Sequence, residues 1–194
     1  MKLTGAAMLV SRGMTVLQAA PAAYPYRYAS KDAAVSFDVF LQRFTNGESA
    51  QVERRPVRDV LRTATYRGPD AFGFYVVAFP DGVEVEFSAK GLESEESFTG
   101  CAFHIRGFGD GLMKFMFDIA RAGDMVIIPA MEGNPLVLVS EQQKQNVPAD
   151  LQESFQSIVV GSDGELGAVL NGGFDGWSAY RDQVLRRSRA DGEA

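Results

Sequence analysis

The residues best suited to chemistry lie close together in the middle of the chain. His104 is the only histidine and Cys101 is the only cysteine. A strand over residues 101–106 would place His104 and Arg106 on one face and Cys101 on the other, because successive strand residues alternate between faces. We therefore predict a polar pocket at His104 and Arg106. A Cys–His nucleophile pair is not expected, since that pair needs direct hydrogen-bond contact.

A second group of candidates is acidic. Residues 70–100, here called the acidic segment, contain seven carboxylates and one basic residue, Lys90. Such a concentration of like charge is unfavourable by itself, but it would steer a basic protein toward the chain. The predicted partner-binding residues are Glu84, Glu86, Glu93, Glu95 and Glu96. Glycosidase-like use of two neighbouring carboxylates is an alternative, although exposed strand carboxylates more often protect a sheet edge.

A third group is basic. Arg54, Arg58 and Arg62 are spaced by four, so they share one face whether the segment is a helix or a strand. This face is a candidate contact for an anion or for a second partner. The structural alternative is a solvated face whose arginines pair with nearby acids such as Asp59.

The stretch 101–135 organises the elements that must position these groups. A strand-like run leads into an apolar helix, and the helix leads into a second strand-like run. Leu112, Phe115, Met116 and Ile119 fall on one helical face, which predicts a helix covered by other elements. We expect Asp110 to cap the start of the helix and Gly123 to end it in the left-handed conformation.

The flanking segments predict strands. Residues 72–79 and 83–87 flank Pro80-Asp81-Gly82, a strong hairpin signal. Residues 57–67 fit a helix or a strand, and their second half favours a strand. A last helix is expected after 171–173. Together these elements predict an α+β fold, with a mainly antiparallel sheet packed against the central apolar helix and a C-terminal helix.

The two ends of the chain are expected to lie outside the folded domain. The predicted organisation is an N-terminal extension over 1–23, a single α+β domain over 24–187 and a frayed tail over 188–194. Small residues around Ala22 resemble a signal-cleavage site, whereas Arg12 interrupts the apolar region that a signal needs. Whether residues 1–13 are native or a signal therefore stays open, and a cytoplasmic location is the expectation.

Composition excludes several classes of protein. The formal net charge of −6 and the pI near 4.9 argue against nucleic-acid binding, which needs clustered Lys and Arg. A single cysteine excludes an intrachain disulfide. No apolar run approaches the ~20 residues of a membrane span. No metal-ligand spacing or cofactor fingerprint is recognisable, so neither a metal nor a cofactor is expected.

These observations favour a non-enzymatic binding protein with a basic protein partner. An immunity or inhibitor protein that neutralises a basic toxin fits this physical logic. The alternative is a small carboxylate-dependent hydrolase with its site near His104 and Arg106. Neither a nucleic acid nor a membrane is an expected partner, and homo-oligomer formation stays open.

Overall fold

A computed structural model describes residues 36–94, 96–130, 133 and 135–171. The chain divides into two units, Met1–Ala33 and Ala34–Ala194, and every structural statement below concerns the second. The expected N-terminal extension, C-terminal helix and frayed tail lie outside the described residues. Glu95, one of the predicted partner-binding residues, does too.

The described part of the chain has an α+β fold, as predicted. Its strands are β1 (Phe37–Gln42), β2 (Phe44–Thr45), β3 (Glu48–Ser49), β4 (Thr65–Arg67), β5 (Phe74–Ala78), β6 (Glu84–Ser88), β7 (Gly100–Ile105), β8 (Val126–Pro129), β9 (Leu136–Leu138) and β10 (Ser157–Val159). Its helices are α1 (Arg54–Leu61), α2 (Asp110–Gly123), a 3₁₀ helix (Glu141–Gln145) and α3 (Ala149–Ser154). The described residues 163–171 are helical as well.

Eight strands form one sheet in the order β10-β9-β8-β1-β7-β6-β5-β4, and β2 and β3 form a small hairpin beside it. All neighbours in the large sheet are antiparallel except β9 and β10. Because β7 and β8 are each antiparallel to β1, they run parallel to one another on its two sides. Parallel strands need a crossover connection, and α2 supplies it.

Helix α2 packs on the first face of the sheet, as its apolar pattern predicts. Leu112, Met116 and Ile119 are fully buried, and Phe115 is 5% exposed. The ring of Phe115 meets the ring of Phe103 in β7 edge-on, at 6.0 Å between centroids. The same core contains apolar residues of β1, β5, β6 and α1. Burial of this face, rather than helix propensity, therefore holds α2 in place.

Both predicted ends of α2 are wrong in detail. The N-cap is Gly109, which makes no side-chain cap bond, and Asp110 is the first helical residue. At the other end Gly123 is still helical, and Asp124 adopts the left-handed conformation with φ 50°. An aspartate tolerates this region better than most residues. Glycine serves a different purpose at 123, since a Cβ there would collide with Met125 Cε and lie 3.1 Å from Val52 Cγ1.

Residues 57–67, which fitted either a helix or a strand, contain the end of a helix followed by a strand. Helix α1 ends at Leu61, and β4 begins at Thr65 and pairs with β5. The predicted hairpin is also confirmed, with β5 and β6 paired around a turn at residues 80–82. In the turn Phe79 N–H donates to Val83 O at 2.9 Å. In β6, Val85 and Phe87 are buried and the intervening Glu86 is not.

The second face of the sheet divides into two halves. Over β8 and β9 it is apolar, and residues near the 3₁₀ helix and α3, such as Val147 and Leu151, pack on Leu136 and Leu138. Over β1, β7, β6 and β5 it carries polar and ionisable side chains between half-buried apolar ones. None of the described helices contributes to a core cluster on this second half. The candidate site lies there.

Candidate functional site

Three ionisable residues form a row across the second face, here called the ionic row: Glu86, His104 and Asp38. Strand pairing sets Glu86 opposite His104, and His104 opposite Asp38. Directly paired residues of antiparallel strands have Cβ atoms about 4.5–5.5 Å apart. The register therefore places one imidazole between two carboxylates.

Asp38 holds the imidazole from one side. Its Oδ1 lies 2.9 Å from His104 Nδ1 and accepts a second hydrogen bond, of 2.6 Å, from Ser36 Oγ. Burial by itself would raise the pKa of Asp38. The hydrogen bonds from His104 and Ser36, together with the positive charges of His104 and Arg106, outweigh burial, so the pKa of Asp38 is lowered. The carboxylate is therefore ionised at neutral pH.

Arg106 approaches the row from the end of β7. Its Nη1 donates to Glu86 Oε1 at 3.1 Å. The Glu86 side chain is 23% exposed and that of Arg106 is 44% exposed. The structure therefore places His104 and Arg106 on the same half of the sheet, and each contacts a carboxylate of a neighbouring strand.

Sequence reasoning missed Asp38. The alternation in β1 sets it among the polar positions of that strand, but the signal is local. Its contact with His104 depends on the pairing of β1 with β7, across 66 positions of sequence.

The carboxylates of the acidic segment separate into two groups. Glu84 and Glu86 alternate with the buried Val85 and Phe87 of β6, so they point away from α2. Glu93 Oε2 instead lies 3.5 Å from Nη1 of Arg58 in α1, on the helix-covered side of the sheet. The acidic segment is therefore not one continuous surface.

Each described carboxylate of the predicted set has a cationic neighbour. Arg67 Nη2 lies 3.7 Å from Glu84 Oε2, and Lys90 Nζ lies 3.6 Å from Glu96 Oε2. These side chains are mostly exposed, so water screens the pairs and their contribution to stability is small. The acids therefore remain open to competition from other cations.

The arginine group contacts the acidic segment. Arg54 Nε donates to Gly91 O at 2.8 Å, and its Nη2 donates to the carbonyl of Glu96. Arg58 pairs with Glu93, and Arg62 pairs with Asp59 of its own helix at 3.0 Å. From the sequence, the arginines and the acidic segment were expected to form separate surfaces. Folding brings them together.

Cys101 lies apart from this chemistry. It is buried in the main core, and burial raises the pKa of its thiol far above the ordinary value. Because Cys101 and His104 are three positions apart in one strand, their side chains point to opposite faces. The geometry offers no thiolate–imidazole pair.

A cavity of about 740 Å³ opens beside the start of α2. Phe108, Gly109 and Met113 line one side, and Gly167 lies on the other. Its two carboxylates, Asp110 and Asp163, would repel a phosphate at the helix start.

Within the described ranges, no group of three or more His, Cys, Asp or Glu side chains is arranged to hold a metal ion. Over the same residues, no helix has the length and apolar character needed to cross a membrane. Comparison of the chain with known family models, with curated proteins and with solved structures finds no match.

Proposed function

We propose that this chain is a non-enzymatic binding protein whose partner is a basic protein. Of the predicted acids, Glu84 and Glu86 are best placed to make the contact. A cytoplasmic immunity or inhibitor protein that neutralises a basic toxin is the form of this function that the charge distribution favours.

One observation carries the proposal. Two neighbouring carboxylates of β6 project from the half of the sheet on which no described helix packs, and the imidazole of His104 lies between Glu86 and the carboxylate of Asp38. Antiparallel sheets can leave one face to solvent or to a partner. Arg67 Nη2 lies 3.7 Å from Glu84 Oε2, and the Arg67 side chain is 65% exposed. An arginine of the binding partner can therefore replace Arg67 at little cost in free energy.

Glu93 and Glu96 belong to the proposal as a more distant contribution, and Glu95 belongs to it on the sequence alone. Glu93 and Glu96 have cationic neighbours on or near the helix-covered side, where they add to the long-range field more than to a contact. The anion contact proposed for the arginine group rests on Arg58 and Arg62, because Arg54 is already bonded to backbone carbonyls.

The test begins with a pull-down that identifies the partner by mass spectrometry. Association and dissociation rates are then measured for wild type, for Glu84→Lys/Glu86→Lys and for the matched control Glu93→Lys/Glu96→Lys. We expect the first variant to slow association by roughly 10- to 1000-fold at low salt, since steering acts on the on-rate. Raised salt should reduce the wild-type rate toward that of the variant.

The control has the same charge change on the other side of the sheet, so it should retain more of the association rate. Equal on-rates for wild type and Glu84→Lys/Glu86→Lys at low ionic strength would refute the proposal. A larger loss in the control would move the contact to the helix-covered side.

A small hydrolase is the second candidate, and the Asp38–His104 pair is the observation that favours it. Asp38 engages Nδ1, which leaves Nε2 as the nitrogen available to move a proton to or from a water molecule. Turnover of chromogenic ester or glycoside substrates that is lost in His104→Gln, with the melting temperature unchanged, would favour this reading over the binding protein.

A further inference from the structure

The ionic row has more acceptor capacity than the chain itself uses. Asp38 receives both of its hydrogen bonds on Oδ1, and Glu86 receives Arg106 on Oε1. Within the described part of the chain, Asp38 Oδ2 and Glu86 Oε2 accept no hydrogen bond. Each carboxylate can accept several.

The net charge of the row together with Arg106 depends on one imidazole. With neutral His104, Asp38 and Glu86 contribute −2 and Arg106 contributes +1, a balance of −1. With protonated His104 the balance is zero. Histidine is the side chain that ordinarily changes charge between about pH 5 and 8.

The charged groups that face His104 lie on the two neighbouring strands and just after its own strand. Asp38 lies on β1, Glu86 lies on β6, and Arg106 directly follows β7. Beyond β6, β5 contributes an apolar neighbour, Phe74, whose ring centroid is 5.8 Å from the imidazole. Among the described residues of this row, His104 is the one imidazole, and its charged neighbours are carboxylates and a guanidinium.

We propose that His104 is a charge switch in the partner-binding surface, and that the ionic row takes an arginine side chain of the basic partner when His104 is neutral. This inference rests on the proposed function. Neutral His104 leaves Asp38 and Glu86 with an unmatched negative charge for the incoming guanidinium. Protonated His104 supplies that positive charge internally and opposes the partner's cation. Binding is therefore strong when the imidazole of His104 is neutral and weaker when it is protonated.

The experiment uses a short fluorescent poly-arginine peptide as the probe, because its charge is constant over this pH range. Binding to the full chain is measured at several pH values between about 5.5 and 8. For wild type we expect affinity to fall on the order of three- to tenfold as pH is lowered, the effect of one partly screened charge. His104→Gln should bind with little dependence on pH.

Asp38→Asn and Glu93→Gln form a matched pair of controls. Each removes one carboxylate charge, but only Asp38 belongs to the ionic row. We expect Asp38→Asn to weaken binding at high pH and to reduce the pH dependence. Glu93→Gln should leave the pH dependence as in wild type.

A second readout needs no variant. His104 is the only histidine, so its Hε1 proton gives a single imidazole signal in NMR spectra. If the peptide prefers the neutral imidazole, linkage requires that bound peptide move the titration midpoint of this signal to lower pH. A tenfold preference corresponds to about one pH unit.

The outcomes separate this inference from the proposed function. An unchanged pH dependence in His104→Gln, together with an unmoved Hε1 midpoint, would overturn the switch while leaving the basic partner in place. Absence of peptide binding to wild type at every pH would overturn both.

Discussion

The consequence of removing Phe115 can be worked out from the structure. Phe115 is 5% exposed, and its ring centroid lies 5.8 Å from that of Phe79, 5.9 Å from Phe87 and 6.0 Å from Phe103. Truncation of a buried Phe to Ala costs about 3–5 kcal/mol. Because edge-to-face aromatic pairs add roughly 0.5–1.5 kcal/mol beyond area burial, we expect Phe115→Ala to fall at the upper end of that range.

Urea denaturation followed by circular dichroism measures this cost. The midpoint should fall while the slope stays unchanged, the signature of a pure stability change. Lys114→Ala is the matched control on the same helix. The Lys114 side chain is 67% exposed and pairs with Asp118 at 2.6 Å, so its loss should cost about 0.5 kcal/mol or less. A cost below about 1 kcal/mol for Phe115→Ala would show that α2 does not pack in the core as described.

Two further predictions follow from the charged residues. Arg54→Gln should destabilise the chain by about 1–3 kcal/mol and speed amide hydrogen exchange over residues 91–98, because two loop carbonyls lose their donor. Arg62→Gln should change neither, and equal effects of the two would contradict the anchoring role of Arg54. The pKa of Asp38 is lowered in the folded state, so its carboxylate contributes stability above the unfolded pKa of about 3.9 and loses it as pH falls through the folded pKa. Asp38→Asn should therefore reduce the melting temperature at pH 7, and this effect should shrink as the pH is lowered through the folded pKa. An effect that grows in acid would refute this assignment.

Local patterns predicted much of the framework. The helical spacing of Leu112, Phe115 and Ile119 located α2 and its buried face, because burying an apolar stripe dominates the energy of a helix. The Pro80-Asp81-Gly82 turn located the β5–β6 hairpin, and alternation placed Glu86 on the polar face of β6. The caps of α2 were predicted wrongly, since several neighbouring residues could serve, and Gly109 and Asp124 take the two cap positions.

The candidate site was only partly accessible from sequence. The shared face of His104 and Arg106 follows from strand alternation. Their carboxylate partners do not, because strand order and register are long-range properties that the local pattern leaves open. The same limit made the acidic segment look like one surface, although Glu84 and Glu93 are directed to different sides of the sheet.

The sequence by itself determined which residues are buried and which kinds of charge the chain carries, since apolar periodicity and composition are local quantities. The tertiary structure alone decided which charges meet. It placed β1 between β7 and β8, so that Asp38 contacts His104, and it folded Arg54 onto the loop of the acidic segment. The physical reason is that electrostatic contacts depend on distances of a few ångströms, and such distances between segments far apart in sequence are fixed only when the sheet assembles.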